Sequence, residues 1–96
     1  MVQIETPKMS EILKEEFMEP LGLSSYRLAN DIGVSVSRIQ DILHDRRKIT
    51  ADISIRLGRY FGVSERYFLN LQSDIDIRNT KPLIEEALIK IRPIVS

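Results

Sequence analysis

Apolar residues recur along the chain at three- and four-residue intervals, which is the spacing of one face of an α-helix. Segments with this spacing are separated by glycine, proline or a serine or threonine suited to capping, and strand-like alternation is rare. We therefore predict an all-α protein. The first predicted helix follows the N-cap Thr6 and Pro7, and it ends at Pro20 and Gly22.

Four more helices follow, each opened by a residue whose hydroxyl can accept a hydrogen bond from the first helical turn. Their predicted N-caps are Ser24, Ser35, Thr50 and Ser64. Aromatic side chains in the fourth and fifth helices fall at core positions, which favours packing over a nucleic-acid stacking surface. We expect residues 1–79 to form a compact five-helix domain, and Pro82 to break the chain after it.

Residues 80–96 are expected to form a short C-terminal helical extension. Its apolar residues lie at intervals of three and four, as one helical stripe. This stripe either contacts a second copy of the chain or packs back on the first and fifth helices. The residues of this candidate dimer interface are Ile84, Leu88, Ile91 and Val95.

The segment 25–44 satisfies the pattern of two steeply crossing helices joined by a tight turn. Ala29 supplies a small side chain where the helices approach, and Gly33 supplies the positive φ that the turn needs. This pattern is that of a helix-turn-helix, whose second helix enters the major groove of DNA. A chance match by an ordinary helical hairpin is the alternative. The apolar positions that bury the facing sides are Leu28, Ile32, Val34, Ile39 and Ile42.

Charge supports the DNA interpretation once it is placed along the chain. The formal net charge is zero, from 14 basic and 14 acidic side chains. Residues 1–24 hold two basic and five acidic side chains, residues 25–67 eight and five, and residues 68–96 four of each. A short basic cluster is usually a solvated loop. Here it follows the predicted recognition helix, where phosphates flank the groove.

The candidate DNA-binding residues lie on the exposed side of the motif and in the loop behind it. The serines can bring helix N-termini to phosphates, and Val36 can meet a thymine methyl group. Arg38 is expected at a guanine or a phosphate, while Asp41 either accepts from cytosine or orients Arg38. The full set is Ser24, Ser25, Ser35, Val36, Ser37, Arg38, Gln40, Asp41, His44, Arg46, Arg47 and Lys48.

The motif resembles the Cro/cI-repressor-like (XRE) helix-turn-helix family, and three flanking segments are similar to its HigA/VapI antitoxin branch. These segments read SEILKEEFMEPLGLS (10–24), ITADISIRLGRYFG (49–62) and YFLNLQSD (67–74). The chain departs from the family where His44-Asp45 replaces Asn-Gly and Lys48 replaces Gly. Because Asp tolerates the left-handed conformation less well than Gly, we expect a reshaped turn. Lys48 is expected to reinforce phosphate binding.

The resemblance implies an antitoxin of a type II toxin–antitoxin system with two activities. It would neutralise a small ribosome-dependent mRNA-cleaving toxin of the HigB type by direct binding. It would also repress its own operon as a dimer on a palindromic operator with half-sites about 34 Å apart. One alternative is a stand-alone transcriptional regulator without a toxin. Another is a protein-interaction module whose DNA face is vestigial.

Other function classes receive little support from the sequence. One histidine, no cysteine and no glycine-rich phosphate loop argue against an enzyme, a metal site and a cofactor. No apolar run approaches the roughly 20 residues of a membrane span, and no signal-peptide pattern is present. We expect a cytoplasmic protein whose partners are double-stranded DNA, a toxin and a second copy, with no membrane and no small-molecule substrate.

Overall fold

The computed structural model describes residues 6–95, and all regular structure in this part of the chain is helical. The predicted all-α fold is confirmed. The first helical segment, α1, comprises residues 9–21, and a 3-10 turn, Lys81–Ile84, separates the last two helices. The other helices are α2 (Ser25–Ile32), α3 (Val36–Leu43), α4 (Ala51–Phe61), α5 (Tyr67–Thr80) and α6 (Glu85–Ile89).

Three of the predicted N-caps are confirmed. The hydroxyls of Ser24, Ser35 and Thr50 accept from the backbone N–H three residues further on, at 3.1, 3.2 and 3.4 Å. The prediction for Ser64 is wrong by two residues, because the N-cap of α5 is Arg66 and the helix begins at Tyr67. The carbonyl of Glu65 accepts instead from the buried Ser54 hydroxyl at 2.7 Å, so this backbone is held by a tertiary contact.

The predicted start of α1 is also wrong. The N-cap is Lys8, and Thr6 and Pro7 lie before the helix. Within α1, Ile12–Met18 is a π-helix, whose wider turn brings residues five apart to one side and buries both Leu13 and Met18. The predicted end is confirmed, since Gly22 takes a left-handed φ of 63° directly after a 3-10 turn.

The core lies where α1, α4 and α5 close over the inner sides of α2 and α3. Burying each large apolar side chain stabilises the fold by about 1.5–3 kcal/mol. Phe17, Phe61 and Phe68 pack together with ring centroids 4.9–6.2 Å apart, so the aromatic residues extend this core. The largest fully buried apolar residues are Leu13, Leu28, Ile39, Ile42, Ile53, Leu57 and Phe68.

The expected break at Pro82 is confirmed, because the α-helix before it ends at Thr80 and a 3-10 turn follows. Helix α5 runs to Thr80 and passes directly into the 3-10 turn, where Pro82 occupies an N-terminal position that needs no N–H donor. Helix α6 ends at Ile89, so the stripe is not helical as far as Val95. The boundary between residues 79 and 80 stays a prediction.

The C-terminal extension projects from the rest of the molecule. The radius of gyration is 16.4 Å, whereas a compact domain of 100 residues has about 13 Å. Ile84, Leu88, Ile91 and Val95 are 44%, 37%, 67% and 79% exposed. None of these four side chains is buried, and both their packing on α1 and α5 and their assignment to a dimer interface stay predictions. Across residues 6–95, no helix combines the length and apolarity needed to cross a membrane.

Candidate nucleic-acid interface

Helices α2 and α3 form the helix-turn-helix that the sequence predicts. Gly33 has a φ of 76° and ends α2, and the N–H of Val34 donates to the Ala29 carbonyl at 3.0 Å to close the turn. Ala29 is fully buried between the helices. The remaining apolar positions of the motif are buried, except Val34, which is half-buried.

The N-termini of both helices are open to solvent. Ser24 and Ser35 are exposed and cap them, which leaves other N–H groups of each first turn without an intrahelical partner. Ser37 is exposed in the first turn of α3, with its hydroxyl 3.3 Å from that of Ser35. Hydroxyl and N–H donors in this position are suited to phosphate oxygens.

The solvent side of α3 is polar and partly fixed from within the protein. Gln40 donates to the Ser25 hydroxyl at 2.5 Å, which joins the two helices of the motif. His44 is exposed and its Nδ1 lies 2.7 Å from the Gln40 carbonyl. Val36 is half-buried against the core, so only part of its side chain faces outward.

Arg38 lies across the junction between α3 and α4. Its Nη2 donates to the Thr50 hydroxyl at 3.3 Å, and its Nη1 lies 3.6 Å from Asp52 Oδ2. The alternative in which Asp41 orients Arg38 is therefore wrong. Asp41 instead accepts from Arg46 Nε at 3.0 Å, because the chain turns back after α3.

The turn after α3 contains a residue in the left-handed conformation, although it has Asp rather than Gly at this position. Asp45 has a φ of 59°, the one positive φ outside glycine in residues 6–95. Its carboxylate accepts from the Ser10 hydroxyl of α1 at 2.9 Å, and this tertiary contact helps to hold a conformation that Asp seldom adopts.

Most cations of the basic segment are compensated by carboxylates of the same chain. Lys48 Nζ lies 3.1 Å from Asp76 of α5 rather than standing free for phosphate. Arg46 is paired with Asp41 and Arg38 with Asp52. Arg47 is exposed and has no carboxylate partner within residues 6–95.

Sequence reasoning missed Asp52 and Arg56, which support this surface from behind. Arg56 Nε donates to Asp52 Oδ1 at 2.5 Å, and Arg56 Nη1 donates to the Ile32 carbonyl at 2.7 Å. The hydrogen bond from Arg56 lowers the pKa of the Asp52 carboxyl, and the charge of Arg38 acts in the same direction. The i, i+4 spacing of Asp52 and Arg56 is visible in the sequence, but their contact with the motif is not.

The described residues include no cluster of three or more His, Cys, Asp or Glu side chains that could hold a metal ion. What the surface offers is two open helix N-termini, a polar helix face and one uncompensated arginine. These groups are suited to a polyanion that also presents hydrogen-bonding base edges.

Comparison with known proteins identifies the class. The family model described as Helix-turn-helix matches residues 14–68, more than half of the chain, and the chain belongs to this family. The family is one of DNA-binding regulators and antitoxins rather than enzymes, in agreement with the prediction.

Particular relatives lie in the branch that the sequence resembles. Virulence-associated protein I of Dichelobacter nodosus is 47% identical over 68 residues, which span 71% of this chain and 63% of that protein. The structure of Pseudomonas aeruginosa antitoxin HigA with the higBA promoter has a TM-score of 0.85 and 33% identity, over 95% of this chain and all of that one. Antitoxin GraA in complex with its operator has a TM-score of 0.86 and 28% identity, over 100% and 98% of the two chains.

Proposed function

We propose that this protein represses its own operon by sequence-specific binding to operator DNA. The observation that carries the proposal is the open, serine-capped N-terminus of α3, beside the loop that holds Arg46 and Arg47. Two similar structures are named as complexes of antitoxins with promoter or operator DNA.

In the proposed complex, α3 enters the major groove and the N-terminus of α2 meets the flanking phosphates. Ser37, Asp41 and His44 face the base edges, and Arg47 supplies charge to the backbone. Because three other cations near this surface are already paired within the chain, affinity depends more on base contacts than on general charge.

Gel retardation with a duplex from upstream of the chain's own reading frame tests this proposal. We expect a specific complex at moderate salt that an unrelated duplex of equal length and composition does not compete away. Equal competition by the two duplexes would contradict sequence-specific repression and would favour a vestigial DNA face.

We further propose that the protein is the antitoxin of a type II system and neutralises a small mRNA-cleaving toxin of the HigB type by direct binding. Support comes from full-length similarity to two proteins named as antitoxins. A cytoplasmic location follows from this function.

Co-expression with a small protein of the HigB type, taken from a reading frame that neighbours this one, tests the antitoxin role. We expect the two to co-purify as a stable complex and the toxin to regain its activity when the antitoxin is removed. Retained operator binding without co-purification would instead identify a stand-alone transcriptional regulator.

The proposed operator is palindromic and bound by a dimer, since one short recognition helix buries little DNA surface. The exposed apolar residues of the C-terminal extension are the proposed contact between copies. A large exposed apolar patch is typical of an association surface. Its members include Ile84, Leu88, Ile91 and Val95.

A further inference from the structure

The Asp52 carboxylate, in the first turn of α4, lies between two arginines from different parts of the fold. Arg38 approaches Oδ2 from the recognition helix at 3.6 Å, and Arg56 donates to Oδ1 from the next turn of α4. Asp52 therefore connects the helix that reads DNA to the helix packed behind it.

Arg56 fixes the direction of this carboxylate. Its Nη1 donates to the carbonyls of Ile32 and Gly33, at 2.7 and 3.4 Å, at the turn between α2 and α3. The position of Asp52 is thus set by the helix-turn-helix itself rather than by a mobile surface side chain.

Arg38 is oriented by these contacts but keeps donor capacity. Its side chain is 25% exposed, and its Nε is buried without an acceptor within residues 6–95. Guanidinium has five N–H donors in a rigid fork, and the contacts to Thr50 and Asp52 use only part of them. Acceptors on DNA can take the remaining Nη hydrogens without releasing the arginine from α4, while the buried Nε stays out of their reach.

We propose that Asp52 is a specificity-determining positioning residue, which holds the Arg38 guanidinium to α4 so that it meets operator DNA in one direction only. The inference rests on the proposed operator binding. An untethered arginine reaches phosphates of any sequence, whereas a fixed one is productive only where the duplex presents its acceptor in place. The negative charge of Asp52 also opposes phosphates that approach without that fit.

Asp52→Asn removes the charge and keeps the size of the side chain. We expect it to bind a scrambled duplex about 3- to 10-fold more tightly than wild type, and the slope of log affinity against log salt to steepen by about one phosphate contact. Affinity for the upstream duplex changes less, so the ratio of specific to non-specific affinity falls several-fold. A purely structural defect would weaken both complexes and would leave the salt slope unchanged.

Two further variants make the test specific. In an Arg38→Ala background, Asp52→Asn is expected to change the ratio of specific to non-specific affinity by less than about twofold relative to Arg38→Ala alone, because the guanidinium that Asp52 holds is absent. Asp76→Asn is the matched control, since Asp76 also pairs with a cation of the basic segment. It removes the same charge and should strengthen both complexes equally.

The outcomes separate this inference from the proposed function. A wild-type protein that fails to prefer its upstream duplex contradicts the proposed function. If the wild type prefers its upstream duplex but Asp52→Asn keeps the same ratio of specific to non-specific affinity, the role of Asp52 is overturned. The role is also overturned if Asp52→Asn lowers that ratio by the same factor in the Arg38→Ala background. If Asp52→Asn lowers the melting temperature, Asp52→Glu keeps the charge and is expected to restore most of the ratio, and failure of that rescue in folded protein also overturns the role.

Discussion

Arg47 is the cation of the loop after α3 that remains uncompensated within residues 6–95. We expect Arg47→Ala to weaken binding to operator and unrelated DNA by a similar factor and to lower the salt slope by about 1, as for a phosphate contact. Salt titrations of binding to both duplexes measure this.

Arg66→Ala is the control for that experiment, because Arg66 is also exposed but precedes α5 rather than following the recognition helix. It should leave the salt slope near that of wild type. A loss of discrimination in Arg47→Ala would show a base contact in place of a phosphate contact.

Asp45 offers a measure of backbone strain at a single residue. Asp45→Ala and Asp45→Gly both lose the hydrogen bond from Ser10, but only alanine must then hold a φ of 59°. We expect the alanine variant to be less stable than the glycine variant by about 1–2 kcal/mol. Urea unfolding of the two variants tests this, and equal stabilities would mean that the turn relaxes when the carboxylate is lost.

At the scale of elements, α4 and the backbone that precedes α5 approach so closely that only glycine fits between them. A Cβ at Gly58 would lie 2.7 Å from the Ser64 carbonyl oxygen and 3.0 Å from Glu65 Cα, and both are backbone atoms. Gly58→Ala should therefore destabilise the protein by about 1–3 kcal/mol, despite the better helix propensity of alanine.

Thermal unfolding of Gly58→Ala can be compared with that of Ser73→Ala, an exposed position within α5. The control should change stability by less than about 0.5 kcal/mol. A stable Gly58→Ala protein would show that the junction can open to accept a methyl group.

The junction between α3 and α4 should also respond to acid. Because its neighbours Arg56 and Arg38 lower the pKa of Asp52 below 3.8, the folded state favours the charged carboxylate. Its contribution is present above pH 3.8 and is lost as the pH falls through the lower folded value. The stability difference between wild type and Asp52→Asn should therefore shrink below pH 4, as followed by unfolding at several pH values. A constant difference would contradict the assignment.

Local signals made much of this architecture predictable. Hydroxyl caps act within three residues, and apolar spacing reports one helix face at a time, so Ser24, Ser35, Thr50 and the core could be predicted. The contact between Arg38 and Asp52 depends on the angle between two helices, which no local pattern encodes. The π-helix of α1 could not be predicted for the same reason, since its register depends on packing against other helices.

At the scale of the whole molecule, the projecting C-terminal extension leads to a prediction about assembly. Replacing Leu88 and Ile91 by Asp places charge on the exposed apolar surface and should convert a dimer into a monomer. Leu21→Asp is the control, because Leu21 is 64% exposed but lies in α1. Sedimentation velocity distinguishes monomer from dimer. An intact dimer in the Leu88 and Ile91 double variant would locate the interface elsewhere.

The pairing of Arg38, Arg46 and Lys48 with carboxylates of the same chain affects how a protein with the proposed function would distribute in the cell. Chromosomal DNA offers an enormous number of unrelated sites, and regulators with many free cations spend most of their time on them. With its cations internally matched, this chain is held less by such sites. A larger share of its copies then remains unbound, ready for the operator or for newly made toxin.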